Sequence, residues 1–271
     1  MNYNTRLILF LFLMFCSVAR AGDLLHGLNS QHQIISKSID NVGDYKVHFV
    51  GDFTVVEVFI RSGKGVAAVK NINQTGSAES IYHGLVNEAT IAIINGGFFG
   101  YKSSGVPVAI GLVRYDGSKT VKHLPWSYGG VFVSDKKGNT KIIPVSNAGQ
   151  AGRWSDAIQS KPIIIYKGEV DVRANTHDAP FNRVAVGVSP EGDTLIVGVF
   201  QDFGQAATIL QFARIYKFVA DGRGLHILRA LAMDGGSGAQ IHLPHDSLRF
   251  GDTGVSFFPN AISFEKSKVH E

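Results

Sequence analysis

Two short segments of the chain share one run: an apolar stretch that delivers Asn or Asp and then two glycines. Ile91–Ile94 leads into Asn95-Gly96-Gly97-Phe98, and Leu231–Met233 leads into Asp234-Gly235-Gly236-Ser237. Glycine permits positive φ and close backbone approach. Successive N–H groups in such a turn form a nest that binds anions, phosphate among them. An Asn or Asp just ahead, at a strand end, adds a hydrogen-bonding group or a carboxylate at the same spot. Each pair also reads as an ordinary tight turn. Neither is a nucleotide phosphate loop, because no Lys-Ser/Thr follows.

Other residues have chemistry in reach. Arg183 heads an apolar run and reads either as a rim ion pair or as an anion clamp, its guanidinium matching phosphate or carboxylate bidentately. Asp202 follows the next apolar run and precedes a helical stretch. It reads as a helix N-cap or as a carboxylate at a strand end, where ligands gather. Ser237, within Gly235-Gly236-Ser237-Gly238-Ala239, has the outline of a nucleophile elbow, which requires a helix after the turn. Here Gln240–Leu243 follows, a strand-like run stopped by Pro244. The ten histidines show no H-E-x-x-H spacing. No cofactor or metal site is called for. A divalent cation such as calcium, held by oxygen ligands, stays an open alternative without a calcium-loop signature.

Most elements that must position these residues read as short strands with turn punctuation. Tyr45–Val50 and Thr54–Arg61 form a hairpin across Gly51-Asp52, and Pro107–Arg114 reads as one strand. Gly130–Ser134 and Lys141–Val145 flank a polar turn. Arg183–Ser189 and Thr194–Phe200 flank Pro190-Glu191-Gly192-Asp193, the clearest hairpin. Helices are few. Ala78–Val86 is one, and Gln205–Val219 is another, with Ile209, Phe212, Ala213, Tyr216 and Val219 on one face. The repeated Asn/Asp-Gly-Gly run admits two pseudo-repeated halves around one cleft, or merely two similar turns. Asn73-Gln74-Thr75 is a glycosylation sequon, without weight in a bacterium.

The N-terminus supplies an address. Residues 1–21 carry Arg6, an apolar run Leu7–Val18 broken only by Ser17, and Ala19-Arg20-Ala21 before Gly22. These are the parts of a cleaved signal peptide, and the run is short for a membrane span. A secreted or periplasmic protein in a bacterial envelope is expected, with no stable membrane insertion after cleavage. The only cysteine, Cys16, leaves with the signal, so neither disulfides nor a Cys nucleophile are available. Residues 22–271 are read as a single domain, long enough for a sizeable core. Losing Arg6 and Arg20 leaves 24 basic residues against 22 acidic. With no Lys/Arg cluster, nucleic acid is not an expected partner.

Taken in order, these segments resemble the phosphodiester glycosidase family. The resemblance is carried by Ile94-Asn95-Gly96-Gly97-Phe98-Phe99-Gly100, Gly105-Val106-Pro107, Ile158-Gln159-Ser160-Lys161-Pro162, Arg183-Val184-Ala185-Val186-Gly187-Val188 and Ala232-Met233-Asp234-Gly235-Gly236-Ser237. It implies an α+β fold, with mixed β-rich sheets and few helices. It further implies hydrolysis of a sugar–phosphate diester at the anomeric carbon. The implied site has Asp234 and then Asp202 as catalytic carboxylates. Asn95, Gly96, Gly97, Phe98, Arg183, Gly235, Gly236 and Ser237 would bind substrate. Lys161 stands where the family usually has glycine. The implied partner is a phosphorylated glycan or sugar-phosphate diester. A non-catalytic binder of phosphorylated glycans, and a serine esterase using Ser237, are the competing readings.

Overall fold

The computed structural model describes residues 24–30, 32–72, 78–172, 178–252 and 259–267. The expected signal, residues 1–21, and the sequon at 73–75 lie outside the described residues. Three main sheets organise the chain. The largest has eight strands in the order β1 (Gln33–Ile39), β2 (Gly43–Val50), β3 (Phe53–Ile60), β16 (Thr194–Gln201), β15 (Arg183–Val188), β17 (Arg229–Ala232), β13 (Ile163–Tyr166) and β14 (Glu169–Val170). A second sheet runs β19 (Leu248–Gly251), β18 (Gln240–Leu243), β5 (Thr90–Asn95), β20 (Asn260–Lys266), β4 (Gly65–Asn71). A third runs β11 (Thr140–Pro144), β10 (Gly130–Ser134), β12 (Asp156–Ser160), β8 (Val113–Tyr115), β9 (Ser118–Val121). A small ribbon pairs β6 (Phe99–Tyr101) with β7 (Pro107–Ala109). The helices are α1 (Ala78–His83) and α2 (Ile209–Gly222). The architecture is α+β and β-rich, with every pairing antiparallel.

The period of two along each strand sorts side chains into layers. Val184, Val186 and Val188 of β15 face a core shared with the two five-stranded sheets, among Ile94, Phe132, Ile158, Ile241 and Phe264. Ala185, with Val197 and Val199 of β16, faces the opposite side, against α2. Helix α2 buries Ile209, Phe212, Ala213, Ile215, Tyr216, Val219 and Ala220 there. Each large apolar side chain among them contributes roughly 1.5–3 kcal/mol. Helix α2 begins at Ile209, four residues later than the sequence suggested. A capping box fixes that start: Gln211 N–H donates to Thr208 Oγ1 at 3.3 Å, and Thr208 N–H donates to Gln211 Oε1 at 2.8 Å. Asp202 is therefore not its cap. The expected strand Pro107–Arg114 is split into β7 and β8 by Gly111, whose φ of +91° ends the extended run.

Gly187 marks the tightest contact between α2 and the large sheet. A Cβ there would come within 2.2 Å of the Tyr216 hydroxyl, which donates to the Leu195 carbonyl at 2.7 Å. At the far end of α2, Arg223 bonds Glu57 and reaches Asp44 at 2.6 Å. Glu57 in turn meets His48 at 2.5 Å, a buried ionic chain that ties the helix to β2 and β3.

Candidate active site

The site forms where the ends of two sheets meet. In the register of β15 against β17, Ala185 faces Ala232, and Met233 N–H donates to the Val184 carbonyl at 2.9 Å. One step further along the same register sets Arg183 opposite Asp234. Asp234 N–H donates to the Gly96 carbonyl at 3.1 Å, so the two Asn/Asp-Gly-Gly segments touch. Their strands nevertheless belong to different sheets, β5 between β18 and β20 and β17 between β15 and β13.

Around Asp234 opens a cavity of about 930 Å³, within the usual range for a small-molecule site. Phe98, Lys161, Phe181, Arg183, Asp234 and Ser237 line it, with Gly235 and Gly236 at the turn. Gly236 takes φ +72°, and its N–H donates to the Asn182 carbonyl at 3.0 Å. Gly235 leaves room for Arg183: a Cβ there would stand 3.1 Å from Nη1.

Arg183 is partly buried and held along one edge. Its Nε donates to the Ala207 carbonyl and its Nη2 to the Ala179 carbonyl, both at 3.1 Å, and Nη2 is ion-paired with Asp178. The ring of Phe181 lies 5.2 Å from its guanidinium carbon. This is tighter than a free bidentate clamp, since only the Nη1 corner is left toward Gly235 and Asp234. Burial pulls the Arg183 pKa down, opposed by the charges of Asp178 and Asp234.

Asp234 is the perturbed carboxylate. Burial pushes its pKa up to about 6, against the lowering effects of the Gly235 N–H and the Arg183 charge. Desolvation outweighs both, so the group changes charge close to neutral pH.

Several expected residues sit elsewhere. Asn95 is only 2% exposed. Its Nδ2 donates to the Asp234 carbonyl at 2.8 Å and its Oδ1 accepts from Gln240 N–H at 3.0 Å. It holds the backbone of the catalytic turn and does not face the cavity. Gly96 and Gly97 form no anion nest. Gly96 N–H donates to the Asn260 carbonyl at 3.1 Å. Cβ atoms at these glycines would lie 1.9 Å from Asn260 Oδ1 and 2.2 Å from the Gln159 carbonyl, so close packing accounts for the pair. Asp202 lines a different depression of about 760 Å³, with Phe200, Arg249 and Asp252. The cause is the strand period: Val199 is opposite Arg183, whereas Phe200 faces the other core and Asp202 follows that parity. Phe98 does reach the cavity, edge-to-face with Trp126 at 5.7 Å between centroids. Ser237 lies in the short 3-10 turn Gly236–Gly238, which runs into strand β18, so the strand–turn–helix of a nucleophile elbow is not formed.

Sequence reasoning passed over Asp178, whose Oδ2 accepts from both Arg183 and Ile209 N–H, the latter at 2.8 Å at the start of α2. Nothing in its neighbourhood in the chain pairs it with Arg183; only the fold does. Among the described residues, no cluster of three or more His, Cys, Asp or Glu could hold a metal ion. Among them, too, no helix is long and apolar enough to cross a membrane.

The profile of the family described as phosphodiester glycosidase matches residues 88–258. No curated protein matches the chain by sequence. Among solved structures, the fold is similar to the catalytic domain of zebrafish N-acetylglucosamine-1-phosphodiester alpha-N-acetylglucosaminidase, auto-inhibited by its pro-peptide. The TM-score is 0.57 at 15% identity, over 88% of this chain and 83% of that one. A hypothetical protein from Synechocystis is similar to the same degree, with a TM-score of 0.57, 15% identity and 88% of this chain covered. This chain spans 64% of the length of that protein.

Proposed function

Because the chain belongs to the phosphodiester glycosidase family, we propose that it is an exported hydrolase that cleaves a glycosyl phosphodiester at the anomeric C–O bond. The observation that carries this reading is Asp234: a carboxylate with its pKa pushed up to about 6, opposite Arg183 in a cavity large enough for a sugar and a phosphate.

Cleavage of an anomeric C–O bond passes through an oxocarbenium-like state that a nearby carboxylate stabilises or attacks. Asp234, ionised above its pKa, fits as nucleophile or as base for water. The bonding pair of the C–O link leaves on the phosphomonoester, already a good leaving group, so anion stabilisation matters more than a strong general acid. The Nη1 corner of Arg183 is placed to take part of that charge. Phe98 offers an apolar face to the sugar. The substrate is thus a phosphorylated glycan or a smaller sugar-phosphate diester. The N-terminal signal would deliver the domain of residues 22–271 to the periplasm or the exterior.

The test is a panel of sugar-1-phosphodiesters, with N-acetylglucosamine included, run in ¹⁸O-water. Label in the released sugar and none in the phosphomonoester is the expected result. Label in the phosphate, or no turnover of any diester, overturns the proposal.

A further inference from the structure

The cavity holds an unusual balance of charge. Among the described residues, Asp171, Asp178 and Asp234 line it on the acidic side, and Arg183 and Lys161 on the basic side. Arg183 is already tied to Asp178 by an ion pair. What remains is acidic, Asp171 and Asp234, apart from one cation. Lys161 makes no hydrogen bond or ion pair with any described residue. Its Nζ lies 5.3 Å from the Trp126 ring centroid and 5.8 Å from that of Phe98. Those rings brace each other edge-to-face. An ammonium resting on two aromatic faces is held by their negative π-clouds while its donors stay available.

An anionic diester entering this cavity meets a partly buried carboxylate that must be ionised for the chemistry, and like charges at close range repel. Arg183 cannot offset this alone, because its charge is already shared with Asp178. We infer that Lys161 is the specificity-determining cation of the cavity: seated on the Phe98–Trp126 wall, it binds the phosphate of the substrate and selects glycosyl phosphodiesters over neutral glycosides. This rests on the glycosyl phosphodiester reading of the cavity for its substrate class. It differs from that reading in assigning the phosphate contact to a residue from the Asp156–Ser160 side of the cavity, across from the Arg183 strand.

The experiment compares the wild-type protein with K161Q and K161R. Binding of α-glucose, N-acetylglucosamine and mannose 1-phosphates, and of the same sugars without phosphate, is measured by calorimetry at low and at physiological salt. Diester turnover is measured alongside. K161Q is expected to weaken the best-bound 1-phosphate about tenfold at low salt, with K161R within a few-fold of wild type. Binding of the parent sugar stays unchanged, and the loss narrows as salt screens the charge. In turnover, KM for the diester rises more than kcat falls. Three results overturn the inference: no 1-phosphate binds the wild type, K161Q binds the 1-phosphate as tightly as wild type, or phosphate and neutral sugar weaken together. Lys161-dependent binding without diester turnover upholds the inference and refutes the hydrolase reading. Unchanged diester KM in K161Q does the reverse.

Discussion

The segments Asn95-Gly96-Gly97 and Asp234-Gly235-Gly236 look alike in the sequence and meet in space, yet they do opposite things. In the first, every polar atom discussed is committed inward: both side-chain atoms of Asn95 bond backbone, and the glycines admit Asn260 and Gln159. In the second, the side chain faces the cavity and its glycines open the turn beside Arg183. A motif therefore says that a backbone turns tightly; what its polar group does depends on whether neighbouring backbone has already claimed it.

Substitutions at equivalent places should separate the two segments. The largest contrast is in turnover. Asp234→Asn is expected to lower kcat on a glycosyl phosphodiester by about 10³- to 10⁴-fold with the fold intact. A variant within tenfold of wild type removes Asp234 from the chemistry. In stability the order inverts. Asn95→Ala strands the Gln240 N–H and the Asp234 carbonyl in a buried place, a loss of about 2–4 kcal/mol in urea unfolding, at about 1–3 kcal/mol per group.

Asp234→Asn, by contrast, is expected to stabilise, and only above a certain pH. The folded protein holds the Asp234 proton more tightly than the unfolded chain does, since its pKa rises from 3.8 to about 6. Ionisation therefore costs folding free energy, beginning as pH climbs past 4 and complete above about 6. The asparagine variant should be about 1–3 kcal/mol more stable than wild type at pH 8 and equal to it at pH 3. Equal stability at both would mean that the carboxylate is not desolvated. Diester turnover by the wild type should rise through pH 6 for the same reason. Smaller differences belong to the glycines. Gly97→Ala meets the Gln159 carbonyl and should cost about 1–3 kcal/mol, whereas Gly236→Ala meets only its positive φ, about 1–2 kcal/mol. Thermal melts of the pair, read beside diester KM, should show Gly97→Ala losing more stability and Gly236→Ala more affinity.

Much of this was legible beforehand. The hairpin of Arg183–Ser189 and Thr194–Phe200 is nearly β15 and β16, because its alternation and polar turn agree locally. The apolar face read for α2 is the face it buries. Strands β4 and β20 went unread; they pair residues 65–71 with 260–266, a contact between distant parts of the chain that no local pattern announces. Strand β1 is exposed over most of its length, so burial leaves little alternation to detect. In the site, Asp234, Arg183, Phe98, Gly235, Gly236 and Ser237 are brought to one cavity. Asp202 is not, because which side of a sheet a residue faces past a strand end depends on register. Asp178 went unnoticed since its partners, Arg183 and Ile209, come from separate elements.

One oxygen atom links the cavity to the helix behind it. Asp178 Oδ2 accepts from Arg183 and also from the first amide of α2. A ligand that draws Arg183 forward must therefore tug on the opening turn of that helix. The Ile209 amide proton is thus a built-in reporter, and its exchange with deuterium will shift as the cavity fills, even for a ligand that is never turned over.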